Sequence, residues 1–531
     1  MNMFEQEPNS PELFFGLVGA AGCDLDEVAG QLTSTLNYFK YTSTIIKMSK
    51  VLSEIPRYAN LNSLSSESQF IRINNFMDAG DDLREKIKLG DALALCAIPR
   101  IHQVRENKSG NPKVPNQRHA YIFNSLKQPA EIVTLKKIYG DAFLLISVYS
   151  PKAKMIEFLK QKIRASEQIP EASDLQKKSE FLLTKDSRSG KKDYGQNVSE
   201  AFPMGDIFIN ISDIKFPQEI HRFLSIWFGT KLHTPRKDES GMYFAKAASL
   251  RSSDLSRQVG AAIATQDGEV VVTGCNEVPS PDGGTIWEED NIQDRDFEIG
   301  YDSNTSMKYE IIKEVIGKFK DHDWLAAEQK EKQTTELVRE IISGRLKSSF
   351  ENARITSLIE FGRIIHAEMS AIVGAARKGI SINSTTLYCT TFPCHMCARH
   401  IIGAGIRRVV YIEPYPKSLA KKLYNKSIKT DSSEHDTLPN AVKFEPFVGI
   451  SPTIYQGFFQ MRKRKDDTGN FKLPRPEDAS PRIQQSPVKY LDHEEIAFKF
   501  IELHDKLLFG TNGEALESAW ENREESKYAF K

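Results

Sequence analysis

A chain of 531 residues has room for roughly two to four domains at ~100–200 residues each. Its 40% hydrophobic and 27% charged residues are the balance of a soluble globular protein, and with Lys+Arg and Asp+Glu both at 71 the net charge of zero gives bulk electrostatics no pull toward nucleic acid or a membrane surface. No run of about 18 apolar residues is present to span a bilayer, the opening MNMFEQEPNS lacks the basic and apolar regions of a signal peptide, and six cysteines in so long a chain are no disulfide framework, so the expectation is a cytoplasmic protein without a membrane partner.

The first segment reads as alternating strands and helices. ELFFGLVGAAG is an apolar run ending in glycines, a buried strand entering a Gly-rich loop. DLDEVAGQLTSTLNYF follows with early acids and helical apolar spacing. HAYIFNS, PAEIVTLKKIYG and FLLISVYSP continue as strand, helix and strand, and GDIFINIS as a further strand. Such alternation implies a parallel sheet covered by helices. The charged stretch TKDSRSGKKDYGQN reads as a mobile loop or lid, and HTPRKDESG as a linker.

The second region opens with an amphipathic helix over GMYFAKAASLRSSDLSRQ. Two β-rich runs then flank Asp267-Gly268, a hairpin signal. Residues 280–350 read as an insertion, Gly/Asp-rich in front and helical behind. IIHAEMSAIVGAARKG is a helix, STTLYCTTF a strand, PCHMCARHIIGAG a helix and RRVVYIEPY a strand. A polar, Pro-containing stretch and a last amphipathic helix, EEIAFKFIELHDKLL, close the chain. The boundaries that follow are 1–232, 240–460 with the insertion around 280–350, and 461–531.

The chemistry lies in the second region. Cys394 and Cys397 stand three apart at a predicted helix start, so their sulfurs share a face and the helix N-terminus favours the thiolate. Pro393 suits the first helical turn. His366 opens another predicted helix, with Glu368 two residues on. Two thiolates and an imidazole leave one position of a zinc ion open for water, as a catalytic site requires. The order His-x-Glu, then Pro-Cys-x-x-Cys, is the signature of zinc-dependent base deaminases. There the Glu is not a ligand but moves protons between water, ring nitrogen and leaving ammonia. A closed structural zinc knuckle recruiting His395 or His400 is the alternative, but it leaves the His-Ala-Glu element unexplained.

RQVGAAI, GCNEVP, HAEMSAI, TLYCTTFPCHMCA and GIRRVVY together resemble the cytidine deaminase superfamily, most closely its deoxycytidylate deaminase branch. The resemblance implies a three-layer α/β fold with a mixed central sheet, one catalytic zinc per chain, a homo-oligomer and nucleotide effectors. It also implies that Asn276 contacts the substrate sugar, a residue that otherwise reads as a turn former. LRSSDLSRQVGAAI, NEVPSPDGG, DRDFEIGYDSN and EFGRIIHAE, behind the first half, resemble the bacterial antiphage dCTP/dCMP deaminases. That resemblance implies conversion of dCTP or dCMP to dUTP or dUMP, depleting the deoxycytidine nucleotide pool during phage infection. Two rival readings are a polynucleotide base deaminase, which needs a basic surface, and a nucleotide-sensing protein with structural zinc. An RNA or protein regulator would leave no readable mark.

Gly16, Gly19 and Gly22 fall in GLVGAAGCD, between a predicted strand and helix, the context of a phosphate-cradling loop. A working P-loop needs Lys and Ser/Thr after the last glycine, and here Cys23 and Asp24 stand there. With SLKQPAEIVTLKKIYGDAFLLISVYSP, the first half resembles a degenerate P-loop nucleoside or nucleotide kinase, which implies a nucleotide ligand. Arg251 and Arg257 could meet substrate phosphates or be solvated. Arg407 and Arg408 serve an exposed strand end, Cys389 is a core thiol, and Cys23, Cys96 and Cys275 have no partners at ligand spacing. The charged helices from Glu310 to Arg345 could form an oligomer interface or a regulatory cap.

Overall fold

The computed structural model describes residues 11–66, 68–167, 172–188, 193–350, 353–415, 418–430, 438–460, 465–482 and 487–509. They make two compact units: the chain up to Pro235 joined by the chain from Val448, and Arg236–Phe447. The sequence reading instead ended its domains at 232 and 460 and left the tail apart. Residues 189–192 of the charged stretch read as a lid, and 461–464 and 483–486 of the polar stretch, lie outside the described residues. None of the described helices is long and apolar enough to cross a membrane.

Unit 1 is built on strands β1 (Leu13–Gly19), β2 (Thr42–Lys47), β3 (His119–Leu126), β4 (Phe143–Tyr149) and β5 (Ile207–Asn210). All pair in parallel, and the short β12 (Gly449–Ile450) returns from the far end of the chain to pair antiparallel with β5. The order across the sheet is β12-β5-β4-β1-β3-β2. Every residue of β1 is buried, as expected of a central parallel strand with both faces covered. Its apolar run therefore carries no alternation.

The tail joins unit 1 through buried charge. In the helix Ala92–Ser109, fully buried Arg105 donates through Nη1 to Glu494 Oε2 at 2.6 Å and through Nη2 to Glu494 Oε1 at 3.0 Å, on the helix Pro487–Leu503. The same guanidinium holds Glu12 Oε2 at 2.8 Å, just ahead of β1. Tyr490 donates to Glu12 at 2.9 Å and Tyr139 to Glu494 at 3.0 Å. A tail tied by these contacts belongs to the first unit, whatever its distance along the chain.

Unit 2 holds β6 (Gly260–Ala264), β7 (Val270–Cys275), β8 (Thr386–Thr391), β9 (Arg408–Glu413), β10 (Ile428–Lys429) and β11 (Val442–Pro446), ordered β10-β11-β9-β8-β6-β7. The expected β6–β7 hairpin is antiparallel, and β8, β9, β11 and β10 pair in parallel. Helices cover both faces. Gly260 lies opposite Cys275 and Gly274 opposite Ala261, so by strand alternation the two glycines face opposite sides. A Cβ on Gly260 would sit 1.9 Å from Ala245 O, in the helix Lys237–Ser249, and one on Gly274 would sit 2.5 Å from Ala367 O, at the start of the helix Ala367–Arg377. Both glycines are needed for this close approach.

The first helix of the unit is shorter and earlier than the spacing suggests, ending at Ser249. Arg408, expected at an exposed strand end, instead grips Asp238 on that helix through Nη1 and Nη2 at 2.6 and 2.8 Å and Glu445 at 2.6 Å. The insertion carries its own small core, where Ile312 and Ile316 of the helix Ser303–Asp321 meet Leu337 and Val338 of Thr334–Ile342.

Candidate active site

Two helix starts in unit 2 create the site. His366 is the N-cap of Ala367–Arg377, and Glu368 lies in its first turn. β8 runs out through Phe392 and Pro393 to Cys394, the N-cap of His395–Gly403. Pro393 thus precedes the helix rather than occupying its first turn. The Cys397 N–H donates to Cys394 Sγ at 3.4 Å, the capping bond that a thiolate makes in place of a hydroxyl or carboxylate.

His366 Nδ1 lies 3.3 Å from Cys394 Sγ and 3.4 Å from Cys397 Sγ. Around a tetrahedral zinc, typical Zn–S and Zn–N bonds place such atoms about 3.6 Å apart. The three side chains therefore could hold zinc with little movement, and two soft thiols with an imidazole are the donor set it favours. Among the described residues no other group of His, Cys, Asp or Glu gathers closely enough to hold a metal. His395, which a closed site would recruit, lies instead 3.6 Å from Glu360 Oε1, and Cys389 is buried in β8. The donor set remains open.

Hydrogen bonds from Cys397 and His366 hold the Cys394 thiol well below its ordinary value, and the bond to Cys394 lifts His366 to about 9. Glu368 is 4% exposed. Burial raises its pKa, and the nearby imidazole only partly opposes this. His366, Glu368 and Cys394 all line a cavity of about 280 Å³, with Phe392 and Tyr415 as aromatic wall.

The comparisons with known proteins fall on this region. Residues 235–413 match the family model described as the cytidine and deoxycytidylate deaminase zinc-binding region. The region belongs to the cytidine and deoxycytidylate deaminase family. The deoxycytidylate deaminases of Enterobacteria phages T2 and T4 are each 50% identical over 54 residues, 10% of this chain and 29% and 28% of theirs. ComE operon protein 2 of Bacillus subtilis is 43% identical over 53 residues, 10% of this chain and 28% of its own. The chain thus spans less than a third of the length of these curated relatives. Among solved structures, the dCMP deaminase of cyanophage S-TIM5 in complex with dCMP and dUMP aligns with all of its chain and 41% of this one, at 18% identity and a TM-score of 0.23.

The other expected site residues have mixed places in this deaminase region. Asn276 and Arg257 line the cavity. Both polar ends of Asn276 are engaged: Oδ1 accepts from Val259 N at 2.7 Å, and Nδ2 donates to Arg257 O at 2.9 Å. The geometry gives Asn276 the work of a turn clamp. Arg257 is half-exposed, 3.6 Å from Glu413 Oε2. Arg251 stacks over Trp287 at 3.5 Å and donates to Thr285 O at 2.9 Å, so it holds the insertion rather than facing the cavity.

Sequence reasoning assigned no role to Asp254, Asp296, Asp302 or Asn304, which complete the cavity wall. The last three sit in DRDFEIGYDSN, a segment quoted only for its resemblance. It also missed Glu277, a fully buried carboxylate that accepts from Ser253 N at 3.0 Å and Val278 N at 2.8 Å. The Glu277 backbone pairs with Ile365, directly before His366.

The glycines of unit 1 do not form one cradle. Gly16 lies inside β1, where a Cβ would meet Leu126 Cδ1 at 2.7 Å, and so is a packing residue. Gly19 ends β1, and a Cβ on Gly22 would meet Met155 Cβ at 2.4 Å. Lys127, just past β3, donates to Gly19 O at 2.8 Å and Asp186 Oδ2 at 3.0 Å. Cys23 is a buried thiol pushed up to about 12 by burial.

Proposed function

We propose that the chain is a zinc-dependent deaminase that hydrolyses deoxycytidine nucleotides, dCMP and/or dCTP, to dUMP or dUTP and ammonia. The observation that carries this reading is the buried Glu368 carboxyl sharing one cavity with His366 and Cys394, whose ligand atoms gather with that of Cys397. A zinc ion on those three side chains would activate a water near neutral pH. Glu368 takes a proton from the water as its oxygen bonds to the amino-bearing ring carbon. It passes that proton to the ring nitrogen, then takes the remaining proton of the added hydroxyl and passes it to the amine, so that the C–N bond breaks and a carbonyl and ammonia result. A carboxyl raised by burial sits nearer the working pH of a proton shuttle.

The deoxynucleotide preference is supported by the relatives' names, and dCTP as substrate, pool depletion in antiphage defence and homo-oligomer formation by the sequence resemblance. The test is ammonia release from dCMP, dCTP, CTP and a cytosine oligonucleotide, side by side. Conversion of the deoxymononucleotides is expected, with Glu368→Gln keeping its zinc and losing about 10²–10⁴-fold in turnover. Conversion of the oligonucleotide alone would make this a polynucleotide deaminase, and full turnover by Glu368→Gln would refute the shuttle. Infected cells lacking the protein should retain the deoxycytidine nucleotides that its presence removes.

A further inference from the structure

We propose that Asp296 accepts a hydrogen bond from the 3′-hydroxyl of the nucleotide in the deaminase cavity, and that this contact restricts the substrate to nucleotides with a free 3′ end. The inference rests on the deaminase reading of that cavity and names the side chain that reads the sugar. Asp296 opens the short helix Asp296–Ile299 of the insertion and lines the same cavity as His366 and Glu368. It is 5% exposed. Its Oδ1 has no hydrogen-bond partner, and the Arg363 Nη1 that pairs with it stands 3.8 Å away. The other carboxylates of this wall are engaged: Asp254 accepts from Ser256 N at 2.7 Å and Asp302 from Thr305 N at 2.5 Å. Arg363 in turn donates through Nη2 to Asp294 O at 2.8 Å.

Asp296 thus has a countercharge but no donor, and a buried acceptor without a donor is costly. A neutral donor on the ligand completes it. A metal ion is the poorer match, because among the described residues only His366, Cys394 and Cys397 gather closely enough to hold one. The substrate's own chemistry says which donor is available. With its phosphate ionised, a deoxycytidine nucleotide has two donors, the exocyclic amine and the 3′-hydroxyl. The amine has to meet the activated water beside His366 and Glu368, which leaves the 3′-hydroxyl for Asp296. Asn276, the residue that the family resemblance turns toward the sugar, has both of its polar ends engaged by backbone, so the sugar needs another partner.

The same wall sets what is refused. Burial raises the Asp296 pKa, the Arg363 charge opposes this, and the charges of Asp302, Asp254 and Glu277 add to the rise. Three further carboxylates therefore act on the place where the 3′ oxygen would lie. A phosphate on that oxygen removes the donor and sets another anion among them, the kind of unpaired charge by which a site rejects a wrong ligand. Every internal nucleotide of a polynucleotide carries such a phosphate, so the insertion that supplies Asp296 confines the site to mononucleotides and 3′-terminal residues.

The test is ammonia release and equilibrium binding by the full chain with zinc, using dCMP, its 3′-deoxy analogue ddCMP, and deoxycytidine 3′,5′-bisphosphate. The wild type should favour dCMP over ddCMP by about 10–100-fold in kcat/KM and in Kd, the worth of one hydrogen bond to a charged group, with the bisphosphate below both. In Asp296→Ala the ratio of dCMP to ddCMP should fall to about one and the bisphosphate should gain on dCMP. Asp296→Asn, which keeps an acceptor of the same shape, should retain a ratio of about 2–10-fold. A variant that is merely destabilised loses both nucleotides together and keeps the wild-type ratio. A wild-type ratio near one, a ratio unchanged in Asp296→Ala, or a bisphosphate used as well as dCMP would overturn the proposal. Binding keeps the two readings apart: a wild type that binds dCMP over ddCMP yet releases no ammonia would refute the deaminase reading and leave Asp296 its contact, and failure to bind either nucleotide would overturn both.

Discussion

Replacing Arg105 by Met should release the chain's tail from unit 1. The guanidinium is fully buried, and it makes its shortest contacts to Glu12 at 2.8 Å and Glu494 at 2.6 Å. Met fills much of the volume but neutralises neither carboxylate. Glu12 keeps Asn116 N, Tyr121 and Tyr490 as donors. Among the described residues Glu494 keeps only His102 and Tyr139, so the cost concentrates there. Breaking a buried ion pair by removing one partner costs about 3–5 kcal/mol. For a unit of this size that lowers the melting transition on the order of 10 °C. Adding Glu494→Gln to Arg105→Met should recover a large part of the loss, because the orphaned charge is gone. The assay is thermal unfolding followed by circular dichroism, with limited proteolysis of the tail below the transition. A single mutant that melts with the wild type, or a double mutant no better than the single, would refute the argument that charge pairing holds the tail.

Acid should act at the same place. Burial alone would raise the Glu494 pKa, but the His102 hydrogen bond and the Arg105 charge hold it below the ordinary range. A depressed carboxylate contributes stability that is present above about pH 4.3 and lost as pH falls through its folded value; exchange in 487–503 should rise in that window, and a Glu494→Gln protein that shows the same acid step would rule this out. Gly260→Ala places a methyl 1.9 Å from Ala245 O and 2.5 Å from Ser249 N, both backbone, so unit 2 should lose at least about 1–3 kcal/mol, measured as its urea midpoint. Asn276→Ala strands Val259 N–H and Arg257 C=O and should destabilise unit 2 by about 1–3 kcal/mol; unchanged melting with a raised KM would show instead that Asn276 serves the substrate alone. Cys397→Ser should abolish stoichiometric zinc in metal analysis together with turnover, and retention of both would remove Cys397 from the donor set.

The deaminase signature was legible because its residues are local: His366 with Glu368, and Cys394 with Cys397, each fall within one helical turn. β1 was legible as an uninterrupted apolar run, and the β6–β7 hairpin from Asp267-Gly268, where Gly268 takes φ +95°. The helix Ala92–Ser109 was not. It is buried on several sides, contains Pro99, and hides His102 and Arg105 among apolar residues, so no amphipathic stripe marks it. β10 and β12 are two residues long and exist only through their partners. The Lys127 contact to the glycine loop and the Arg105 contact to Glu494 join residues far apart in the chain, and no local pattern encodes them. The cavity wall from 296 to 304 looked like an insertion because its residues acquire meaning only beside His366.

Because β12 and the Pro487–Leu503 helix come after unit 2, the first unit cannot finish on the ribosome before the second has been made. At about 5–20 residues per second, the β5 edge and the apolar bed that receives Tyr490 wait uncovered for many seconds. The nascent chain thus emerges with a ready surface for chaperones, and a message truncated between the deaminase region and the Pro487–Leu503 helix yields a protein with His366, Cys394 and Cys397 intact and its first unit unsealed.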